Sequence, residues 1–204
     1  MTILLVVDTE TTGFGPSEHL VWQAGAVEID LSNGRVTSTE FNLPYLASEY
    51  PENAYRKAHM YRTLERVTDD IYEATKRYLD DTYSSREDFL EELGARFEQY
   101  REAEIDEFSI MYDGADVIVA HNADFDRPFV EQQLLNLSTP PTKPWDCTLK
   151  LFQAQFPGQP ANLNKACVFF GMDWDVMKEH TALYDAQMCA RLLLKLHRIE
   201  DIQI

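Results

Sequence analysis

A continuous apolar run near the start of the chain ends directly in two carboxylates. Residues 3–7 read Ile-Leu-Leu-Val-Val, which is typical of a strand that is covered on both faces. Asp8 and Glu10 follow, and because alternate residues of a strand share a face, both carboxylates point the same way. Adjacent carboxylates repel each other unless a cation lies between them. The pair is therefore either solvated at a strand end or a pair of oxygen ligands for a divalent cation.

A second segment, "VIVAHNADFDRPF", is a buried strand that runs into a helix. Its polar residues lie at the carboxyl edge of the predicted sheet, the edge at which open α/β sheets bind ligands. Asp124 is predicted to cap the helix with its side chain. Asp126 lies in the first turn, where the helix dipole alone would stabilise a carboxylate. If one of the two is a metal ligand, Asp126 is the better candidate, because its side chain is not needed to cap the helix.

A third segment, "KEHTALYDAQMCARLLL", predicts a long amphipathic helix with Asp185 near its start. His180 precedes Asp185 by five residues, which corresponds to about 140° around a helix axis. His180 can therefore act together with Asp185 only from the loop before the helix, with Thr181 as the cap. A histidine in a loop can swing, which suits proton transfer better than permanent metal ligation. The alternative is a solvated acid and a surface histidine.

The order of the apolar runs predicts the fold class. "LVWQAGAVEIDLSNGRVTSTEFNL" indicates two strands joined at Ser32-Asn33-Gly34, a strong hairpin signal. Residues from about 51 to 101 have helical character, with Phe89, Leu93 and Phe97 on one face. "ADVIVA" reads as a short strand, and "PPTKPWDCTLKLF" as a loop that leads into a helix or strand. Hairpin strands followed by strand-helix units predict an α/β fold, a mixed sheet with helices on both faces.

Length and composition restrict the class of protein. With 204 residues, 45% of them hydrophobic, we expect a single domain over residues 1–204. No apolar run approaches the roughly 20 residues that cross a bilayer, and the first residues lack the pattern of a signal peptide. A cytoplasmic protein without a membrane partner is expected. Three cysteines without any CxxC pattern indicate reduced core residues, namely Cys147, Cys167 and Cys189.

The charge of the chain is strongly acidic and unevenly distributed. The formal net charge of −17 argues against a surface that coats nucleic acid, because such surfaces are basic. It does not exclude nucleic acid held at a metal site. Over half of the excess lies in an extended acidic, helical segment at about residues 49–116, with nineteen acids and nine bases. A polyanion is expected to approach the more basic later loops, which contain Arg127, Lys143, Lys150 and Lys165.

Taken in order, the three motifs resemble those of a known family. "VVDTETTGF", "VAHNADFD" and "HTALYDA" are similar to the motifs of the DEDDh 3′→5′ exonucleases, the group that includes the proofreading subunit of bacterial replicative polymerases. The resemblance reaches nearly the whole chain and implies an RNase H-like mixed five-stranded sheet flanked by helices. It also implies an enzyme that uses two Mg²⁺ or Mn²⁺ ions. That enzyme would hydrolyse phosphodiester bonds at the 3′ end of single-stranded nucleic acid, DNA favoured, and release nucleoside 5′-monophosphates.

The resemblance assigns roles to individual residues. The four metal-binding carboxylates correspond to Asp8, Glu10, Asp126 and Asp185, and the general base corresponds to His180. The substrate-binding residues correspond to Thr11, at the turn that contacts the terminal nucleotide, to Phe14, which wedges between the last two bases, and to His59.

Two departures from the family pattern leave alternatives open. Gln23 stands where the family commonly has Glu, and the segment at about 49–116 is longer and more acidic than in compact members and lacks their His-Gly-Ile turn. One alternative is a 3′→5′ exoribonuclease or oligoribonuclease, because no residue visibly selects for or against a 2′-hydroxyl. The other is a non-catalytic module that docks a polymerase or another protein partner through the acidic segment.

Overall fold

A five-stranded mixed sheet forms the centre of the molecule, which a computed structural model describes for residues 2–50, 85–135 and 143–204. The strand order is β3-β2-β1-β4-β5. β2 runs antiparallel to β1 and β3, whereas β4 is parallel to β1 and β5. The strands are β1 (Ile3–Thr11), β2 (Val21–Asp30), β3 (Arg35–Asn42), β4 (Val117–Ala120) and β5 (Trp145–Cys147). The predicted hairpin and the predicted mixed sheet are confirmed.

Helices flank the sheet where the spacing of apolar residues in the sequence changes from a strand pattern to a helix pattern. Within the described residues they are α1 (Arg86–Gly114), α2 (Ala123–Phe129), α3 (Thr148–Gln155), α4 (Leu163–Phe169) and α5 (Ala182–Leu196). A short 3-10 turn covers Ala47–Glu49, and a π-helical turn, Val130–Leu134, continues α2. α1 accounts for the later part of the predicted helical region. The remainder of that region, residues 51–84, lies outside the described residues.

Alternate residues of β1 supply two hydrophobic cores, one on each face of the sheet. Leu5 and Val7 pack in a cluster with residues of α1 and α2, including Phe108, Tyr112 and Phe129. Val6 packs on the opposite face, in a cluster formed largely with α5: Val27, Val119, Ala186, Cys189, Ala190 and Leu193. Fully burying one aliphatic side chain contributes roughly 1.5–3 kcal/mol. The sheet is therefore held between α1 and α2 on one side and α5 on the other.

Two further expectations concern the cysteines and the membrane. The three cysteines are free and buried, as predicted: Cys147, Cys167 and Cys189. Across residues 2–50, 85–135 and 143–204, no helix combines the length and the apolar composition needed to cross a membrane. The division of the chain into a single domain stays a prediction.

Candidate active site

The two acids of the first motif lie within β1 and not beyond its end. Asp8 pairs with Gly25 and Glu10 with Gln23 across β2, and the ladder becomes irregular only between Glu10 and Thr11. Because alternate side chains share a face, Asp8 and Glu10 extend the row of Val6 toward α5. Both acids are partly exposed. The strand therefore presents two carboxylates side by side on a rigid, paired backbone.

Asp126 reaches β1 from the first turn of α2. Its Oδ1 accepts hydrogen bonds from the backbone N–H of Thr9 at 3.0 Å and from Thr9 Oγ1 at 2.8 Å. The side chain is 3% exposed, and its charge acts on the carboxyl of Asp8. Thr9, the residue between the two acids of β1, thus holds Asp126 beside Asp8.

Asp124 takes a different position from the one predicted. The N-cap of α2 is Asn122, whose backbone lies in the left-handed region (φ 68°), a conformation that asparagine tolerates. The helix therefore begins at Ala123, and Asp124 falls in its first turn, where it is exposed and forms an ion pair of 2.7 Å with Lys150. The predicted cap by Asp124 is wrong, and its side chain lies away from the carboxylate cluster.

The start of α5 brings the third motif to the same edge of the sheet. His180 lies in the loop before the helix, and Thr181 is the N-cap residue, as predicted. The backbone N–H of His180 donates to Asp185 Oδ2 at 3.2 Å. His180 has a φ of 67°, an uncommon conformation for a residue other than glycine. Potential ligand atoms of Glu10, His180 and Asp185 lie within 4.8 Å of one another.

Burial, together with neighbouring charge at Asp8, disfavours the ionised form of the acids in the pocket. Burial raises the pKa of Asp8 well above its ordinary value, and the charges of Asp126, Asp185 and Glu10 raise it further. Burial also raises the pKa of Asp126 to about 7, although the hydrogen bonds from Thr9 oppose this shift. For Asp185, burial raises the pKa to about 6 against the hydrogen bond from His180. Protons therefore balance part of the negative charge when no cation is bound.

These shifts predict how the stability of the metal-free protein depends on pH. The folded pKa values of Asp126 and Asp185, about 7 and about 6, lie above the ordinary value of 3.8. The folded state therefore binds more protons than the unfolded state in this window, and the free energy of unfolding falls as pH rises from about 4 to 7. We expect a loss of a few kcal/mol, or roughly 5–10 °C in Tm between pH 5 and 7.5.

Thermal unfolding in EDTA measures this loss, and Mg²⁺ or Mn²⁺ added at pH 7.5 should restore the Tm. Asp126→Asn serves as the matched variant, because it should flatten the pH profile. A Tm that stays constant or increases toward pH 7.5 would contradict the prediction.

The donor set of the site fits a divalent cation. Asp185 Oδ1 is buried and lacks a hydrogen-bond partner among the described residues. A buried polar atom left in this way is uncommon in native proteins and points to a missing water or ion. Carboxylate oxygens are the ligands that Mg²⁺ and Mn²⁺ prefer. The carboxylate oxygens of Glu10 and Asp185 lie close enough to share such an ion, and the metal-binding roles of Asp8 and Asp126 stay a prediction.

Gly25, which sequence reasoning did not single out, allows α5 to approach the sheet. A Cβ at this position would lie 2.3 Å from the carbonyl oxygen of Ala182 and 2.5 Å from the Cα of Leu183. Gly25 pairs with Asp8, so the start of α5 lies over the strand pair that carries the first acids. A glycine inside a strand often marks a close backbone approach. That signal was available in "VWQAGAVEID".

Gln23 fastens the same helix end to β2. Its Oε1 accepts a hydrogen bond from the backbone N–H of Ala182 at 3.1 Å, and its Nε2 donates to Asn42 Oδ1 at 3.1 Å. The amide therefore satisfies one of the N–H groups that a helix start leaves without an intrahelical partner. Gln23, which departs from the family pattern, thus helps to hold the start of α5 against β2.

We expect Gly25→Ala to lower both the stability of the protein and the nuclease activity that the resemblance implies. The added methyl group has no space against the backbone of α5, and overpacking of this kind costs about 1–3 kcal/mol. Relief of the clash would move Asp185 and His180 away from β1, and a displacement of about 1 Å can cost roughly 10²-fold in rate. Gly114→Ala is the matched control, because a Cβ there meets nothing within 4 Å. Equal Tm and rate for the two variants would contradict the expectation.

The turn between β1 and β2 carries the predicted substrate-binding residues of the first motif. Thr11 Oγ1 donates to the carbonyl oxygen of Gly13 at 2.8 Å. Phe14 is 78% exposed, and its ring lies edge-on to Phe125 with centroids 6.1 Å apart. Phe125 directly precedes Asp126, so this exposed ring lies close to the motif that contributes the third carboxylate. His59 lies outside the described residues, and its role stays a prediction.

His121, a residue of the second motif, contacts two other segments of the chain with its ring nitrogens. Its Nδ1 lies 2.9 Å from Thr148 Oγ1, and its Nε2 lies 2.9 Å from the carbonyl oxygen of Ala161. Burial lowers the pKa of His121 to about 4, so the ring is neutral at pH 7. Thr148 Oγ1 in turn lies 3.3 Å from Cys189 Sγ on α5. This chain of contacts joins α3 and α5 behind the carboxylates, which no local sequence pattern indicated.

Comparison with known families places the chain in a class. The RNase T exonuclease family model matches residues 64–193, more than half of the chain. The chain belongs to this exonuclease family. The chain is 27% identical over 200 residues to DNA polymerase III subunit epsilon of Pasteurella multocida and of Haemophilus influenzae. These matches cover 93% of this chain but 66% and 65% of the relatives, so the chain spans slightly less than two thirds of their length.

Several solved structures share the fold of this chain. An exonuclease I structure has a TM-score of 0.60 at 15% identity and covers 98% of this chain and 42% of its own. Exonuclease X in complex with 5′-overhanging duplex DNA has a TM-score of 0.53 at 18% identity, with 98% and 94% covered. At such identities the likeness shows the fold alone. The predicted RNase H-like fold and the resemblance to the DEDDh exonucleases are both confirmed.

Proposed function

We propose that this exonuclease is a metal-dependent enzyme that hydrolyses phosphodiester bonds at the 3′ end of single-stranded nucleic acid, DNA favoured, and releases nucleoside 5′-monophosphates. The observation that carries the proposal is the convergence of carboxylates at one edge of the sheet. The charges of Asp126, Asp185 and Glu10 all act on Asp8, and His180 lies in the same group of potential ligands. Separate segments of the chain thus meet in one acidic pocket.

Two divalent cations match the charge of this pocket. Asp8, Glu10, Asp126 and Asp185 carry about −4 when ionised, which two Mg²⁺ or Mn²⁺ ions would balance. When bound, such ions would stabilise negative charge on the phosphate and make a water molecule more acidic. The unpartnered Oδ1 of Asp185 and the raised pKa values of the buried acids support this use of the pocket.

His180 is proposed to accept the proton of the attacking water. Its imidazole is exposed, and its backbone is tied to Asp185 by the hydrogen bond of 3.2 Å. The base is therefore held beside an acid of the pocket while its ring faces solvent. General-base assistance of this kind contributes typically about 10² to 10⁴ in rate.

The turn after β1 is proposed to receive the end of the strand. Phe14 offers an exposed ring near the pocket, and stacking of a base on an aromatic ring tolerates any sequence. Thr11, at the end of β1, would contact the terminal nucleotide. This turn would contact only the last one or two nucleotides of the strand. Binding of these nucleotides would not require a long binding groove.

Three basic residues of the later loops are engaged within the protein. Arg127 pairs with Glu131 at 2.8 Å and Lys150 with Asp124 at 2.7 Å. Lys143 donates to the backbone carbonyl oxygens of neighbouring residues. These pairings support a weak grip on a long strand and low processivity. The affinity for oligonucleotides should therefore depend only weakly on salt concentration, since few phosphate contacts release few counterions.

The choice of DNA is supported by the relatives. The two curated relatives are DNA polymerase III subunits, and one structural neighbour is E. coli exonuclease I in complex with a dT13 oligonucleotide. A polymerase or another protein as a partner stays a prediction, because the chain spans only part of those relatives.

A side-by-side digestion tests the proposal. Single-stranded DNA, duplex DNA and RNA of one sequence are labelled at the 5′ end to follow shortening and, in a parallel sample, on the 3′-terminal nucleotide to follow its release. They are incubated with Mg²⁺ or Mn²⁺, with Asp8→Ala as the inactive control. We expect stepwise shortening from the 3′ end with mononucleotide products, fastest on single-stranded DNA. Faster digestion of RNA would favour the oligoribonuclease alternative. No metal-dependent product on any substrate would favour the docking module.

A further inference from the structure

Gln133 ties three backbone groups of the turn between β1 and β2 with a single side chain. Its Nε2 donates to the carbonyl oxygens of Pro16 and His19, at 2.7 Å each, and its Oε1 accepts from the backbone N–H of Val21 at 2.9 Å. Gln133 lies in the π-helical turn Val130–Leu134 that continues α2. Turns of this type occur frequently at functional sites.

The turn itself is a closed unit. The N–H of Thr12 donates to the carbonyl oxygen of Leu20, and the N–H of Leu20 returns a hydrogen bond to Thr12 Oγ1, both at 2.9 Å. The His19 ring occupies the space that a side chain at Gly13 would need, since a Cβ there would lie 2.3 Å from it. These contacts fix the shape of the turn, with Phe14 exposed near its tip.

The contacts within the turn do not determine how the turn is oriented relative to α2. The hydrogen bonds of Gln133 join the turn to the helical segment that also carries Asp126. The contact between Phe14 and Phe125 lies on the same side. A shift at Gln133 would therefore change the distance between the exposed ring and the carboxylates, while the strands and the carboxylate pocket stay in place.

We propose that Gln133 is a positioning residue for the nucleic acid strand, which fixes the turn so that Phe14 stands where the terminal base stacks. This inference rests on the proposed function. Replacing the amide by an apolar group leaves two carbonyl oxygens and one N–H without their partner. A stacked base contributes roughly five- to 150-fold to affinity, and part of that contribution depends on the ring being held in place.

Steady-state kinetics on a short single-stranded DNA test the proposal with three variants. Gln133→Leu removes all three hydrogen bonds. Gln133→Glu keeps the acceptor for Val21 but places an oxygen against two carbonyl oxygens. Gln132→Leu is the matched control, because Gln132 is exposed and adjacent. We expect KM to rise about tenfold for both Gln133 variants with kcat within about twofold, the pattern of lost binding that is uniform in ground and transition state.

A double-mutant cycle separates positioning from general destabilisation. If Gln133 acts through the aromatic ring, Gln133→Leu should have little further effect on KM in the Phe14→Ala background. Amide hydrogen exchange supplies a second readout that needs no activity: residues 12–21 should exchange faster in Gln133→Leu than in Gln132→Leu, with β4 unchanged. If Gln133→Leu does not fold, Gln133→Glu decides by the same measurements.

The outcomes distinguish this inference from the proposed function. A wild-type protein that releases no nucleotide overturns the proposed function. An active wild type whose Gln133 variants match Gln132→Leu in KM overturns the positioning role alone. The same conclusion follows from additive effects in the double-mutant cycle, or from a loss of kcat at unchanged KM.

Discussion

Replacing Asp8 by Asn is expected to reduce metal-dependent nuclease activity by about 10⁴-fold or more, because the bound ions supply several kcal/mol of transition-state stabilisation. The same change should stabilise the metal-free protein. Burial and the charges of three neighbouring acids raise the pKa of Asp8. In the wild type an ionised carboxylate at this position therefore destabilises the fold at neutral pH, whereas the neutral amide of the variant avoids this cost. We expect the Tm of Asp8→Asn to lie above that of the wild type at pH 7.5 in EDTA.

Activity assays and thermal unfolding with and without Mg²⁺ measure both effects of Asp8→Asn. At pH 5 the difference in Tm between variant and wild type should shrink, because wild-type Asp8 is then closer to its neutral form. Asp124→Asn is the matched control, since Asp124 is an exposed acid of the second motif that pairs with Lys150. An active Asp8→Asn enzyme, or one that is less stable than wild type in EDTA, would contradict this account of the pocket.

Replacing His180 by Ala is expected to lower kcat by about 10² to 10⁴ while leaving the affinity for Mn²⁺ nearly unchanged. The reason is the proposed role of His180, which would accept a proton beside the ions and would not bind them. Its ring is exposed and belongs to a loop residue, whereas Asp126 and Asp185 are buried acids of the pocket.

Titration calorimetry with Mn²⁺ and the pH dependence of kcat/KM distinguish the two roles of His180. The variant should lose the limb of the wild-type pH profile that reports the free base. His197→Ala provides the matched control, because His197 is exposed at the end of α5. The potential ligand atoms of Glu10, His180 and Asp185 lie close enough to share an ion. A large loss of Mn²⁺ affinity in His180→Ala would therefore identify the histidine as a ligand.

Several elements of the fold could be predicted because their causes are local. The Asn33-Gly34 turn fixes a hairpin by its own backbone preference. The apolar residues of β1 form a strand that is covered on both faces because their side chains alternate between two cores. The five-residue spacing of His180 and Asp185 placed the histidine before the helix, where the structure has it.

One local assignment was wrong, and one expectation about the surface stays open. The cap of α2 was assigned to Asp124 because aspartate is a good cap, but the left-handed backbone of Asn122 starts the helix earlier. The later basic loops were expected to face a polyanion. In the structure Arg127 and Lys150 form ion pairs with acids of the protein, and the approach of a polyanion from this side stays a prediction.

The resemblance of the three motifs indicated the family and the candidate acids, because each motif is a short local pattern. Only the tertiary structure decided how those acids meet. Thr9 holds Asp126 against β1. Gly25 has no side chain, which leaves room for the start of α5. Gln133 joins the turn between β1 and β2 to the π-helical turn that continues α2. Each of these contacts links residues more than 100 positions apart, and local chain preferences carry no information over that distance.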